Sequence, residues 1–133
     1  MATREEIFDQ MEQMLGRVPS FMVTLPETVL ESDWNTMKSF EFSNTKLSAI
    51  QKHLIGVGVA AANSCEHMSL WHGMMAMALG ATDEQIDEAL LTAKLSSGWS
   101  TYLEGSMVDM DQFTDEAVQI GQFIQTNKGM KAA

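Results

Sequence analysis

The sequence predicts an all-α fold, a bundle of about six helices in a single domain spanning residues 1–133. Capping boxes, in which a Ser or Thr side chain and a Glu or Gln three residues later cap a helix start, occur at residues 3–6, 48–51 and 82–85. No stretch shows the apolar and polar alternation of a half-buried strand. Hydrophobic residues make up 45% of the chain, which is typical of a globular protein.

The first third of the chain predicts two helices joined by an apolar connector. The first helix begins at the 3–6 capping box and ends at Gly16. The connector, residues 16–26, carries several apolar side chains and is expected to pack onto the core. The second helix begins near Pro26, since proline suits a first helical turn, and runs to about residue 42.

The rest of the chain predicts four more helices. The helix over residues 48–62 is apolar nearly all round, so we expect its own domain or a partner subunit to cover every side. A turn at residues 63–64 leads into a helix over residues 65–79. Further on, a Ser-Ser-Gly cluster at residues 96–98 is a candidate kink in the helix that begins at the 82–85 box. We place a last helix at residues 114–127 and a frayed tail at residues 128–133.

Charge and cysteine content restrict the class of protein. The net charge of −10 argues against binding to nucleic acid or to an anionic membrane. One cysteine allows no internal disulfide framework, which predicts a reducing, cytoplasmic location. We expect no signal peptide, because the N-terminus is charged and lacks an apolar segment, and no membrane span, because the apolar runs are too short.

The stretch over residues 63–80 contains the candidate site. It holds the single cysteine, Cys65, which we place in the first helical turn, where free N–H groups and the helix dipole favour a thiolate. Because the turn at residues 63–64 is short, its two helices should be antiparallel neighbours, which places His53 level with His72. The candidate catalytic residues are Cys65, His72 and His53, and the candidate pocket residues are Met68, Ser69, Trp71 and His67.

The three candidate catalytic residues also have a purely structural interpretation. Cys65 can be a small buried apolar residue, His72 a structural histidine and His53 a subunit contact. A zinc site of thiolate and imidazole groups is conceivable, but no tight ligand spacing supports one. We therefore predict neither a metal nor a cofactor.

At these residues the chain resembles the carboxymuconolactone decarboxylase / alkylhydroperoxidase D superfamily, over about residues 19–105. The matching features are Leu47-x6-Leu54-Ile55, the small residues leading into Asn63-Ser64-Cys65, His72 seven residues after the cysteine, residues 80–90 and Ser97-Gly98. The resemblance implies an all-α homo-oligomer, a trimer or a hexamer.

The peroxidase-like branch of that superfamily carries Cys-x-x-Cys-x3-His, with a glutamate twelve residues before the first cysteine. The resemblance matches its first cysteine to Cys65, its final histidine to His72 and the intervening histidine of some members to His67. The second cysteine corresponds to Met68 and the glutamate to His53. Since methionine cannot form a disulfide, the intramolecular dithiol cycle of the branch is excluded.

Three functions remain open. The first, which we favour because Cys65 keeps the family position, is an antioxidant oxidoreductase that reduces peroxide or disulfide with a single thiol and an external thiol reductant. The second is a cofactor-free acid–base enzyme of the decarboxylase type, with His53 and His72 acting on a small organic acid. The third is a non-catalytic oligomeric binding protein that keeps the pocket.

Overall fold

The computed structural model describes residues 1–127, and these residues are helical nearly throughout. The helices are α1 (Arg4–Leu15), α2 (Ser20–Val23), α3 (Glu27–Thr36), α4 (Ala49–Ala62), α5 (Glu66–Ala78), α6 (Asp83–Gly105) and α7 (Met110–Thr126). A π-helical turn, Met37–Glu41, directly follows α3. The described residues contain no strand, so the predicted all-α class is confirmed. The predicted frayed tail lies outside the described residues.

The three predicted capping boxes are formed. At the start of α1 the Thr3 hydroxyl accepts from the Glu6 N–H, and the Glu6 carboxylate accepts from the Thr3 N–H at 2.8 Å. Ser48 and Gln51 do the same for α4, and Thr82 and Gln85 for α6. Each box satisfies two backbone donors that a helix start leaves unpaired, so these three boundaries were readable from the sequence.

The structure differs from the expected helix boundaries in three places. The connector at residues 16–26 contains a turn of helix, α2, which brings the number of helices in the described chain to seven. The last helix begins at Met110 instead of residue 114, because Asp109 caps it by accepting from the Gln112 N–H at 2.8 Å. Residues 96–98 lie within the unbroken helix α6, since serine and glycine inside a helix each cost only about 1 kcal/mol or less.

The chain divides into two compact units, residues 1–93 and the residues from 94 onward. The core of the first unit is a cluster of buried side chains from α1, α2 and α3: Ile7, Met11, Met22, Leu30 and Trp34. Met22 is 2% exposed, so the expectation that the connector packs onto the core is confirmed. The described residues of the second unit include no buried side chain. In this unit Trp99 and Tyr102 pack edge to face.

Helices α4 and α5 form the predicted antiparallel pair at the centre of the first unit. Their near ends meet where the Cys65 N–H donates to the Ala60 carbonyl at 3.0 Å, and their far ends meet at Ile50 and Gly80. Ser64 makes the reversal in the left-handed region, with φ of 53°.

The chain itself covers only one side of α4. Its buried residues are Ala49, His53, Val57 and Ala60. Ile55 and Val59, one turn apart, are 55% and 54% exposed, so the single chain does not bury this helix on all sides. The other predicted way to cover the exposed side of α4 is contact with a partner subunit, so the homo-oligomer remains a prediction. No helix within the described residues has the length and apolarity needed to cross a bilayer.

Candidate functional site

The π-helical turn after α3 brings a carboxylate against α5. Within it the Phe42 N–H donates to the Met37 carbonyl at 3.0 Å, five residues back instead of four. Such turns insert one extra residue into a helix and are frequent at functional sites. The turn ends at Glu41, whose Oε1 accepts from the Trp71 Nε1–H of α5 at 3.0 Å. Glu41 is thereby fixed against the helix that follows the cysteine.

His53 and His72 meet across the α4–α5 pair. Their Nδ1 atoms are 3.0 Å apart, and the His53 side chain is fully buried. Gly56 permits the contact, because a Cβ atom at this position would lie 2.5 Å from the His72 ring. The edge of the Phe42 ring packs against the His53 ring, with the two centroids 5.0 Å apart.

Glu41 joins this pair, and its position indicates where the shared proton lies. Its Oε1 is 3.9 Å from His53 Nδ1, and a carboxylate favours an N–H over a lone pair facing it. We therefore assign the proton to His53 Nδ1, which donates to His72 Nδ1. His53 Nε2, which has no hydrogen-bond partner among the described residues, is then a bare lone pair rather than a buried, unpaired donor.

Burial keeps both imidazoles neutral near pH 7. It is the largest cause that lowers the pKa of His53, with the neighbouring His72 acting in the same direction and the Glu41 carboxylate opposing them. For His72 the same burial lowers the pKa, and Glu41 again opposes it. A neutral pair that shares one proton can still accept another, which is what a proton relay requires.

The two lowered pKa values predict a loss of stability in acid. Below about pH 6.5, these histidines bind protons in the unfolded chain, whereas in the folded chain they stay neutral until the pH reaches their lowered pKa values. The free energy of unfolding therefore decreases as the pH falls through this interval. Urea denaturation between pH 7.5 and 5 should show this slope, and His53→Gln should reduce it. The exposed His67 is the control, and an equal reduction in His67→Gln would contradict the assignment.

A cavity of about 700 Å³, open to solvent on one side, reaches the cluster at Glu41, and its volume is within the usual range for small-molecule sites. Neither His53 nor His72 is part of its lining. Its apolar wall comes from α2, the π-helical turn and α5: Phe21, Met37, Met68, Leu70, Trp71, Met74 and Met75. The two ionisable side chains in the lining are Glu41 and His67. Glu41 thus belongs both to the cavity wall and to the histidine pair, and connects the two.

Glu41, His53 and His72 also have the composition of a metal site. One ligand atom from each lies within 4.8 Å of the others. A metal on His53 Nδ1, however, would move the ring proton to Nε2, where no described residue accepts it. Ligating histidines almost always donate that second proton to an acceptor. We therefore interpret the cluster as a proton-sharing group.

Comparison with known families agrees with the all-α class of the chain. A sequence model of the carboxymuconolactone decarboxylase family matches residues 27–105, more than half of the chain. The chain belongs to the carboxymuconolactone decarboxylase family. Comparison with curated proteins and with solved structures gave no match. Every residue of the cluster, and every residue of the cavity wall except Phe21, lies inside the matched range.

The structure places some of the predicted site residues together and separates others. His53 contacts His72 as the antiparallel pairing predicted, and His67, Met68 and Trp71 line the cavity. The half-buried Ser69 is not part of this lining.

Cys65 requires a correction. It is the N-cap of α5, with an extended backbone, rather than a residue of the first helical turn, because the reversal at Ser64 delays the helix start to Glu66. Its side chain makes no capping hydrogen bond. The thiol belongs neither to the cavity wall nor to the three-residue cluster.

Sequence reasoning missed Glu41. The resemblance to the peroxidase-like branch matched the glutamate of that branch to His53, whereas in the structure a carboxylate reaches the histidine pair from another element. The signal was weak, since Glu41 is one acidic residue at the end of an amphipathic helix. Only the π-helical turn rotates it towards α5.

Proposed function

We propose that this family member catalyses cofactor-free proton transfer on a small organic molecule bound in the cavity. The carrying observation is that one carboxylate, Glu41, both lines the cavity and lies beside the His53–His72 pair. A general base must reach the substrate and must also dispose of the proton it takes. Glu41 meets the first requirement and its position next to the histidines meets the second.

The proposed step is abstraction of a proton from a carbon next to a carbonyl group. Glu41 takes the proton, and the electron pair of the broken C–H bond moves to the carbonyl oxygen as an enolate. The Nδ1 proton of His53 moves to His72 Nδ1 as His53 Nδ1 takes the proton from Glu41. The Glu41 carboxylate stabilises the resulting cationic pair. Return of the abstracted proton to a neighbouring carbon completes an isomerisation. Its replacement by a proton from solvent, delivered to the same carbon, completes an exchange, and in both cases no atom or electron is lost.

Exchange of C–H for C–D in D2O tests this proposal without knowledge of the natural substrate. A panel of small carbonyl compounds is incubated with the protein, and loss of the α-proton signal is followed by NMR. Glu41→Gln should lower the exchange rate by about 100-fold or more, the usual contribution of a general base. Glu66→Gln, which removes an exposed carboxylate from the first turn of α5, is the matched control and should keep the rate.

The result also separates this proposal from single-thiol reduction of peroxide, the second candidate. That candidate is supported by the position of Cys65, a partly accessible thiol at the N-terminal end of α5. It predicts peroxide consumption that Cys65→Ser abolishes. The acid–base proposal predicts that Cys65→Ser keeps α-proton exchange. If the panel shows no exchange above buffer while the protein consumes peroxide through Cys65, the acid–base proposal is wrong.

A further inference from the structure

The cavity wall also indicates which molecules the site accepts. Seven of its nine residues are apolar or aromatic, and the described lining contains no lysine or arginine. Its one carboxylate, Glu41, lies beside two neutral imidazoles. Apart from the His67 imidazole, the described wall contains no side chain that could neutralise a negative charge on a ligand.

The lysines on the neighbouring elements are held by other partners. Lys38 Nζ, on the π-helical turn, donates to Gln10 Oε1 at 2.9 Å. Lys52 Nζ, on α4, donates to three oxygens of residues 40–45, at 2.7 to 2.9 Å. Turning either lysine towards the cavity would break these bonds. An anionic ligand would therefore meet the Glu41 carboxylate without a lysine or arginine to pair with, in a chain of net charge −10.

We infer that the cavity selects uncharged, predominantly apolar molecules and excludes carboxylates. The inference deepens the proposed function and rests on it for the view that the bound molecule is a substrate. It narrows that substrate from any small organic molecule with a carbonyl group to a neutral one, such as a ketone or an ester. Four methionines, Met37, Met68, Met74 and Met75, line the cavity, and their flexible side chains adapt to ligands of different outline.

Binding of a matched neutral and anionic pair tests the inference. Methyl benzoate and benzoate share one ring and differ in charge. Each is titrated at pH 7.5 into protein labelled with 13C at the methionine methyl groups. The ester should shift the methyl signals of the cavity methionines and leave that of Met11, which is fully buried in the α1–α3 core. Benzoate should bind at least tenfold more weakly than the ester.

Two variants assign that difference to charge. Glu41→Gln should reduce the difference in affinity between methyl benzoate and benzoate. Met68→Lys, which adds a cation to the wall, should raise the affinity for benzoate. Benzoate binding as tightly as the ester, or cavity methyl signals that the ester leaves unshifted up to its solubility limit, would overturn the inference. Binding needs no turnover: His53→Gln, which removes the relay, should still bind the ester, so failure of the proposed function and failure of this inference are distinguishable.

Discussion

Gly56→Ala should disrupt the site more than the same change at Gly58 or Gly73, the other glycines of α4 and α5. The new Cβ would lie 2.5 Å from the His72 ring, so the ring must move and lose its 3.0 Å contact with His53. Overpacking of this kind costs about 1–3 kcal/mol of stability. A displacement of about 1 Å can also lower a catalysed rate about 100-fold, so α-proton exchange should fall by that order.

Gly73→Ala provides the matched control on the other helix of the pair. Gly73 directly follows His72, and a Cβ there would meet nothing within 4 Å. Replacing a helical glycine by alanine in open space should raise stability by about 0.5–1 kcal/mol and leave the exchange rate unchanged. Urea denaturation and the NMR exchange assay on Gly56→Ala and Gly73→Ala check both predictions. Equal behaviour of the two variants would contradict the close approach at Gly56.

Trp34→Ala should cause the largest loss of stability in the first unit. Trp34 is 1% exposed within the α1–α3 core, and its Nε1–H donates to Gln10 Oε1 at 3.0 Å. Removing a buried tryptophan side chain costs about 3–5 kcal/mol, because it removes apolar contacts and leaves a cavity. Since whole domains are stable by only about 5–15 kcal/mol, the variant should be close to unfolding at 37 °C.

Trp99→Ala is the comparison for this core prediction, because Trp99 is 59% exposed on α6. Thermal or urea denaturation of the two variants should differ by about 2 kcal/mol or more, with Trp34→Ala the less stable. A loss below about 1 kcal/mol for Trp34→Ala would contradict the packing of the α1–α3 core.

The features predicted correctly from the sequence are those determined by local chemistry. Capping boxes fixed three helix starts, and the short turn at residues 63–64 made α4 and α5 antiparallel, which was enough to expect His53 beside His72. The family resemblance over about residues 19–105 agrees with the matched range, residues 27–105. Each of these predictions needed only neighbouring residues or a contiguous pattern.

The features missed depend on backbone geometry that the pattern does not encode. One extra residue in the π-helical turn after α3 rotates Glu41 into the site. The hydrophobic pattern of a regular α-helix does not show where such an insertion occurs. Likewise, the left-handed Ser64 shifts the start of α5 by one residue and makes Cys65 an N-cap. From the sequence we favoured the Cys65 thiol as the reactive group. In the structure, the proton-sharing group consists of residues on three separate elements, the π-helical turn, α4 and α5.

The central claim is that Glu41, His53 and His72 form one electrostatically coupled group, and titration of both imidazoles by 15N NMR tests it most directly. Because the Glu41 carboxylate raises the pKa of both histidines against the effect of burial, Glu41→Gln should lower both values further. In the wild type, the signals should also show the proton of the neutral His53 on Nδ1. Histidine titrations that are identical in the wild type and in Glu41→Gln, with the His53 proton on Nε2, would contradict the account.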